Sequence, residues 1–257
     1  MTRPTSYAGV GVGQRCARSG SGGLVLGAAI LASQAALAQE ERGEDSQTRG
    51  PLATVIFGSL EAGPAKSFAS AGMKRAVTGG LEASGFRTLL KLGVAREQAG
   101  SARPRGIAWK TESQALIGYE WRISDTFVSL YAGADQESDY RETGGALRHA
   151  SRFGARLQGD LWATPTDDTL IQASAYVSSL DRRIWGRLAP GWLVARGAWL
   201  GPEIEAYRQR DYSKLRLGLH LTGLRLLGVT WRLSAGWEKE SARRGQAYGT
   251  LGLHWLR

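Results

Sequence analysis

Apolar and polar residues alternate one by one along most of this chain. In Leu215-Arg216-Leu217-Gly218-Leu219-His220-Leu221-Thr222 every odd position is leucine and every even one is polar or small. Val229-Thr230-Trp231-Arg232-Leu233-Ser234-Ala235-Gly236-Trp237-Glu238 repeats the pattern. Ala115, Ile117, Tyr119, Trp121 and Ile123 share one face against Gln114, Gly118, Glu120 and Arg122. Phe153, Ala155, Leu157, Gly159 and Leu161 oppose Arg156, Gln158 and Asp160. A period of two sends successive side chains to opposite faces of a strand, whereas a helix would part Leu215 from Leu217.

Twelve such segments are predicted, near 53–61, 66–78, 85–96, 110–123, 126–136, 152–164, 169–180, 182–189, 193–208, 212–226, 229–239 and 247–256. Most have the ~9–11 residues of a tilted membrane-spanning strand, longer than the ~5–6 usual in soluble sheets. Ser124-Asp125, Thr166-Asp167 and Leu227-Gly228 read as very short turns after even-numbered strands. Two long polar connections, Gln98 to Lys110 and Gln136 to His149, follow odd-numbered ones. Short turns on one side and long loops on the other are the asymmetry of an outer-membrane barrel, with both chain ends in the periplasm. The fold class is therefore all-β: an antiparallel up-and-down transmembrane barrel of about 12 strands. A secreted sandwich or lipocalin-like barrel shares the alternation, but the polar faces here run uniformly over too many long strands for the wet exterior of a small soluble fold.

The beginning of the chain differs. Residues 1–19 hold Arg3, Arg15 and Arg18 and no acid, Gly20 to Leu37 is uncharged, and Ala36-Leu37-Ala38 precedes Gln39-Glu40-Glu41. A basic start, a short apolar stretch and an A-x-A exit describe a secretory signal peptide over 1–38, cleaved after Ala38. Residues 39–51 are polar and without period, and read as a disordered periplasmic tail; 52–257 is the barrel.

Composition refines this picture. The 257 residues carry 33 Lys+Arg against 23 Asp+Glu, a net charge of +10, one cysteine and 42% hydrophobic residues. Removing the signal peptide takes away three arginines and Cys16, so the exported chain is +7 and has no thiol. Disulfides and cysteine metal sites are excluded, three dispersed histidines argue against a metal site although loop carboxylates could still bind calcium, and no cofactor is expected. A chain this polar cannot be a bundle of apolar membrane helices. Export removes it from nucleic acid, so the excess charge points to outer-membrane lipids and lipopolysaccharide. Trp and Tyr, 9 and 8, outnumber the 5 Phe. Trp121, Trp231, Trp237 and Trp255, on apolar faces near strand ends, are the expected membrane-interface aromatics.

Several stretches resemble the bacterial outer-membrane cellulose-biosynthesis family BcsS: Leu116-Ile117-Gly118-Tyr119-Glu120-Trp121, Tyr131-Ala132-Gly133-Ala134-Asp135 and Gly159-Asp160-Leu161-Trp162-Ala163-Thr164-Pro165. The last third is most similar, with Gly201-Pro202-Glu203, Asp211-Tyr212, Leu217-Gly218, Thr222-Gly223-Leu224, Ser234-Ala235-Gly236 and Tyr248-Gly249-Thr250-Leu251-Gly252-Leu253 in order. The opening strand departs from the family: an aromatic is expected between Gly58 and Glu61, where Ser59-Leu60 stand. The resemblance implies an accessory role in cellulose production or export, with the glucan and the synthase complex as partners, and no catalytic residue to carry over.

The residues expected to line the lumen are Glu120, Arg122, Arg156, Gln158, Asp160, Trp162, Tyr176, Glu203, Glu205, Arg216, His220, Arg232 and Glu238. Trp162 and Tyr176 would offer stacking faces to a sugar polymer. Two enzyme readings stand beside this one. Glu203 and Glu205, ~6–7 Å apart along one strand face, have the spacing of a glycosidase pair, against which cross-strand ion pairing with interior arginines such as Arg216 is the simpler account. His149-Ala150-Ser151 has the His-x-Ser spacing of a lipid A deacylase barrel, but sits at a loop edge between Arg148 and Arg152. Arg182-Arg183 and Arg243-Arg244 fall on connections assigned to the outside, where lipopolysaccharide phosphates would meet them. The rivals are an outer-membrane enzyme acting on lipid or polysaccharide, and a general porin or adhesin.

Overall fold

The computed structural model describes residues 53–257 except 64–65, 100–105, 144–145, 196 and 242–243. The signal peptide and the 39–51 tail lie outside the described residues. Twelve strands close into one antiparallel barrel, each paired with its sequence neighbours and the first with the last. They are β1 (Thr54–Gly63), β2 (Lys66–Ala76), β3 (Gly85–Ala99), β4 (Gly106–Ile123), β5 (Thr126–Thr143), β6 (Ala146–Thr166), β7 (Thr169–Ser178), β8 (Arg183–Ala195), β9 (Ala198–Gln209), β10 (Tyr212–Leu226), β11 (Val229–Glu240) and β12 (Gln246–Leu256). Closure is direct: Ile56 faces Trp255 across the β1–β12 ladder, and the Thr54 amide donates to the Arg257 carbonyl at 2.9 Å. A closed barrel leaves no strand edge unpaired, which is what a bilayer demands of a sheet. No helix among the described residues is long and apolar enough to cross a membrane.

The alternation sorts the side chains inside out. Leu90, Leu92, Ile117, Leu130, Leu157, Leu188, Ile204, Leu217, Leu219 and Leu233 are exposed on the outer face. Lys74, Arg87, Glu120, Gln158, Glu203, Arg216 and Arg232 are buried within. A soluble barrel has the opposite arrangement; here the outer face fits hydrocarbon and the inner one must satisfy itself.

Three expectations need correction. The polar stretch from Gln136 to His149 is not a loop: β5 and β6 stay paired to Thr143↔Ala146. Gln98 to Lys110 is likewise largely strand, through Ala99↔Gly106. Once beyond hydrocarbon the outward side chains turn from apolar to polar, so the apolar signal stops where pairing does not. The asymmetry of the barrel therefore lies in strand length rather than loop length. β3 to β6 run 15, 18, 18 and 21 residues and overshoot the others at the end away from the chain termini, the far end. Second, Pro190-Gly191-Trp192 does not break the chain between strands; β8 continues through it to Ala195. Pro190 keeps its place on the β7 ladder opposite Ile171 and gives its carbonyl to His220, the β9 side being irregular there. Third, Arg183 is not on an outer connection: it opens β8 and is buried, while Arg182 is exposed and Arg243 lies outside the described residues.

Local features place the bends. Gly223 adopts φ +91° at the bulge where the β10–β11 register shifts between Thr222 and Leu224, and a side chain there would strike Trp199. Only glycine takes that conformation without strain.

Candidate functional site: the barrel interior and the far-end extension

The interior is a set of linked ion clusters. Nearest the chain termini, Lys74 donates to Glu120 at 2.5 Å, Arg87 to the same carboxylate at 3.2 Å and Ser129 at 2.9 Å. The Arg87 guanidinium also donates to the carbonyls of Thr78, Gly80 and Ala83, tying the 77–84 connection across that end. In the opposite wall, Glu203 accepts from Arg187 at 2.9 Å and from Arg232, with the Tyr248 hydroxyl at 3.4 Å. One step further, Arg216 binds three carboxylates: Glu238 at 2.8 Å, Glu61 at 3.1 Å and Glu205 at 3.4 Å. Lys214 adds 3.4 Å to Glu205. Toward the far end, Glu137 gathers Arg183 at 2.5 Å, Arg152 and Lys110.

Each lumen residue named from the sequence has a definite place. Arg156 stacks over the Tyr176 ring at 3.4 Å and donates to Gln158, which donates to Asp160 at 3.1 Å. His220 is held between Thr222 and the Pro190 carbonyl, both at 2.9 Å. Glu120, Glu203, Glu205, Arg216, Arg232 and Glu238 sit in the clusters above. Arg122 is at the rim instead, half-buried, its guanidinium on the Glu82 carbonyl and over the Phe127 ring. Trp162 packs edge-on against Trp199, and Tyr176 lies between Trp185 and the Arg156 guanidinium; both rings are buried. Trp121, Trp237 and Trp255 are exposed on the outer surface, and Trp231 is half-buried with its indole N–H on the Leu226 carbonyl.

Sequence reading missed Lys74, Arg87, Glu112, Glu137, Arg183 and Arg187. One of these, Arg87, had a signal that was obscured: in β3 the inward run Arg87-Leu89-Lys91 is interrupted by the apolar pair Leu89-Leu90. Glu137 lay in the stretch read as a loop, and Glu112 near the start of the strand expected over 110–123 was not singled out.

These clusters fill the barrel. Arg87, Gln158, Gln172, Arg216, His220 and His254 are each no more than 2% exposed although their strands surround the axis. In a water-filled channel such side chains would be wet. Glu203 and Glu205 carry separate cation partners, which spends both carboxylates on ion pairing. His149 stacks on Tyr140 with centroids 4.6 Å apart, while the Ser151 hydroxyl is engaged by Ser138 and Gln136, each at 3.0 Å. The two lie exposed on β6, rather than at a loop edge. Among the described residues no three His, Cys, Asp or Glu are grouped to hold a metal.

Residues 55–257 match the family described as cellulose biosynthesis protein BcsS. The chain belongs to this family. No curated protein sequence matches it. Among solved structures, the COG4313 outer membrane channel from Pseudomonas putida F1 is similar at TM-score 0.51 and 9% identity, over 83% of this chain and 98% of that one. LpxR from Salmonella typhimurium gives 0.49 at 10% identity, over 78% and 99%. The KdgM porin gives 0.46 at 13%, over 78% and 98%. At 9% identity the likeness to the COG4313 channel is one of fold, the outer-membrane β-barrel.

Proposed function

We propose that this protein is an outer-membrane accessory of bacterial cellulose biosynthesis that acts as an anchor for the export machinery rather than as a glucan conduit. The observation that carries this is the filled interior: the cations and carboxylates of Arg216, Glu205, Glu203 and Arg232 neutralise one another at the axis. A polymer passage would need open hydroxyl-binding groups and bare aromatic faces, and Trp162 and Tyr176 are buried. The signal peptide would deliver the chain to the periplasm of a Gram-negative cell, with the near-end turns periplasmic and the β3–β6 extension at the surface. Trp121, Trp231 and Trp255 would then mark the inner interface and Trp237 the outer one, with lipopolysaccharide as the surrounding lipid.

Single-channel recording of the purified barrel in planar bilayers tests the closed form, together with cellulose output of a deletion strain. Absence of discrete conductance with loss of cellulose on deletion is the expected pair of results. Steady conductance blocked by cello-oligosaccharides would overturn the anchor reading in favour of a pore.

A further inference from the structure

We propose that the outward face of the β4–β5–β6 extension is a binding surface for a β-1,4-glucan chain, with Trp109, Tyr140 and His149 as its stacking row. This deepens the cellulose reading and rests on it. The cross-strand register brings the three rings side by side: Trp109 opposes Tyr140, and Tyr140 opposes His149. Trp109 is 46% exposed, His149 is exposed, and Tyr140 and His149 already stack with planes 25° apart. Below them Thr111, Ser138 and Ser151 form a row of hydroxyls, and Ser113, Gln136 and Phe153 form the next. Ser113 donates to the Gln136 carbonyl oxygen at 3.2 Å and Gln136 donates to Ser151 at 3.0 Å, so the polar rows are ordered.

The chemistry selects a neutral polyol. None of the positions in the three rows is Asp, Glu, Lys or Arg, although the same strands are densely charged on their inner faces. Aromatic faces receive the axial C–H groups of a pyranose, while hydroxyl and amide groups take its equatorial oxygens. Neighbouring strands lie ~4.8 Å apart, near the length of one glucosyl unit, so a chain crossing the three strands passes the exposed Trp109 ring and then the half-buried Tyr140 with the His149 stacked on it. Arg96 closes the row beside Trp109 and is exposed there. These rings are not part of an interfacial belt. Belt aromatics adjoin the apolar band, whereas Trp109 stands ~13 Å along β4 beyond Ser113, with two polar rows between it and Ala115 and Ile117. The platform is also stiff. On its inner side Lys110 pairs with Asp139 at 3.3 Å, Arg152 with Asp181 at 2.7 Å and Arg183 with Glu137 at 2.5 Å. A preordered surface loses little freedom on binding.

Affinity electrophoresis of the detergent-folded barrel through gels containing hydroxyethylcellulose, with cellohexaose titrations read by tryptophan fluorescence, tests this. The wild type is expected to be retarded, and Trp109→Ala and Tyr140→Ala each to bind about tenfold more weakly. Trp109→Phe should recover most of the binding, and Trp192→Ala, which alters an exposed indole at the other end of the barrel, should bind like wild type. Heat-modifiable mobility confirms that each variant is folded. A wild-type barrel that is not retarded, or is retarded equally by a linear α-glucan or by lipopolysaccharide polysaccharide, overturns the surface. Cellulose lost on deletion together with no retardation refutes the surface alone; unaltered cellulose on deletion refutes the accessory role beneath it.

Discussion

The lumen and the far-end extension are built from the same alternating ladder, yet they treat polar groups in opposite ways. Around Arg216 every charge is met by another: one guanidinium serves Glu61, Glu205 and Glu238, and Glu205 is shared with Lys214. On the outer face of β4 to β6, in the rows from Trp109 to Ser113, the groups are uncharged, and they are joined by hydrogen bonds among Ser113, Gln136, Ser138 and Ser151. The difference teaches where recognition can reside in a closed barrel. Charges removed from water need partners, so the Arg216 and Glu203 clusters have little left to offer a ligand. Neutral hydroxyls and rings at the surface carry no such debt. They remain free to exchange water for sugar.

The largest effect should come from breaking the lumen. Arg216→Ala would leave Glu61, Glu205 and Glu238 facing one another, with Lys214 as the nearby cation for the first two. Removing one member of a buried ion cluster strands its partners at a cost of about 3–5 kcal/mol. Guanidinium unfolding in micelles should show that loss of stability, and cells should hold less folded barrel. A variant within about 1 kcal/mol of wild type would mean that water reaches this cluster, and with it the axis of the barrel.

Much of this arrangement was legible before any coordinates. Period two placed Arg156, Gln158 and Asp160 opposite Phe153, Ala155 and Leu157, and twelve segments close in order because each pairs with the next. Register was not legible. Glu203 and Glu205 sit two residues apart, and nothing in their spacing reveals that one meets Arg187 and Arg232 while the other meets Arg216 and Lys214. Those partners depend on strand stagger around the barrel, a property of closure rather than of any one segment. The extension was hidden for a different reason. Hydrophobic alternation reports on the environment outside the sheet, so it fades at Ser113 and Gln136 although the backbone pairing continues to Thr143.

A smaller effect should follow from packing. Gly218 and Gly236 face each other inside the barrel and make room for the Tyr248 ring, whose hydroxyl would lie 2.5 Å from a Cβ at 218. Gly218→Val should displace Tyr248 from Glu203 and from beneath Arg216, at about 1–3 kcal/mol for overpacking. The same unfolding experiment reads it. Gly249, with nothing near its Cβ position, supplies the contrast: Gly249→Ala should stay within about 0.5 kcal/mol of wild type.

The smallest effect belongs to the extension, and it sharpens the contrast most. Ser151 is exposed on β6 and bonds to the buried Ser138 and to the half-buried Gln136, both on the outward side of β5. Ser151→Ala removes an exposed hydroxyl whose bond to Gln136 water can replace and whose bond to Ser138 is part-buried, so stability should fall by no more than about 1 kcal/mol. The substitution also separates two readings of this strand. If Ser151 were a nucleophile activated by His149, its loss would abolish a measurable lipid or polysaccharide hydrolysis while leaving stability alone. Because His149 stacks on Tyr140 and the serine is committed to its neighbours, the expected result is an unchanged lipid A profile and unchanged cellulose chain length in cells carrying the variant. What should shift is affinity for cellohexaose, modestly and less than on Trp109→Ala, since one hydroxyl among several is lost while the stacking row stays in place.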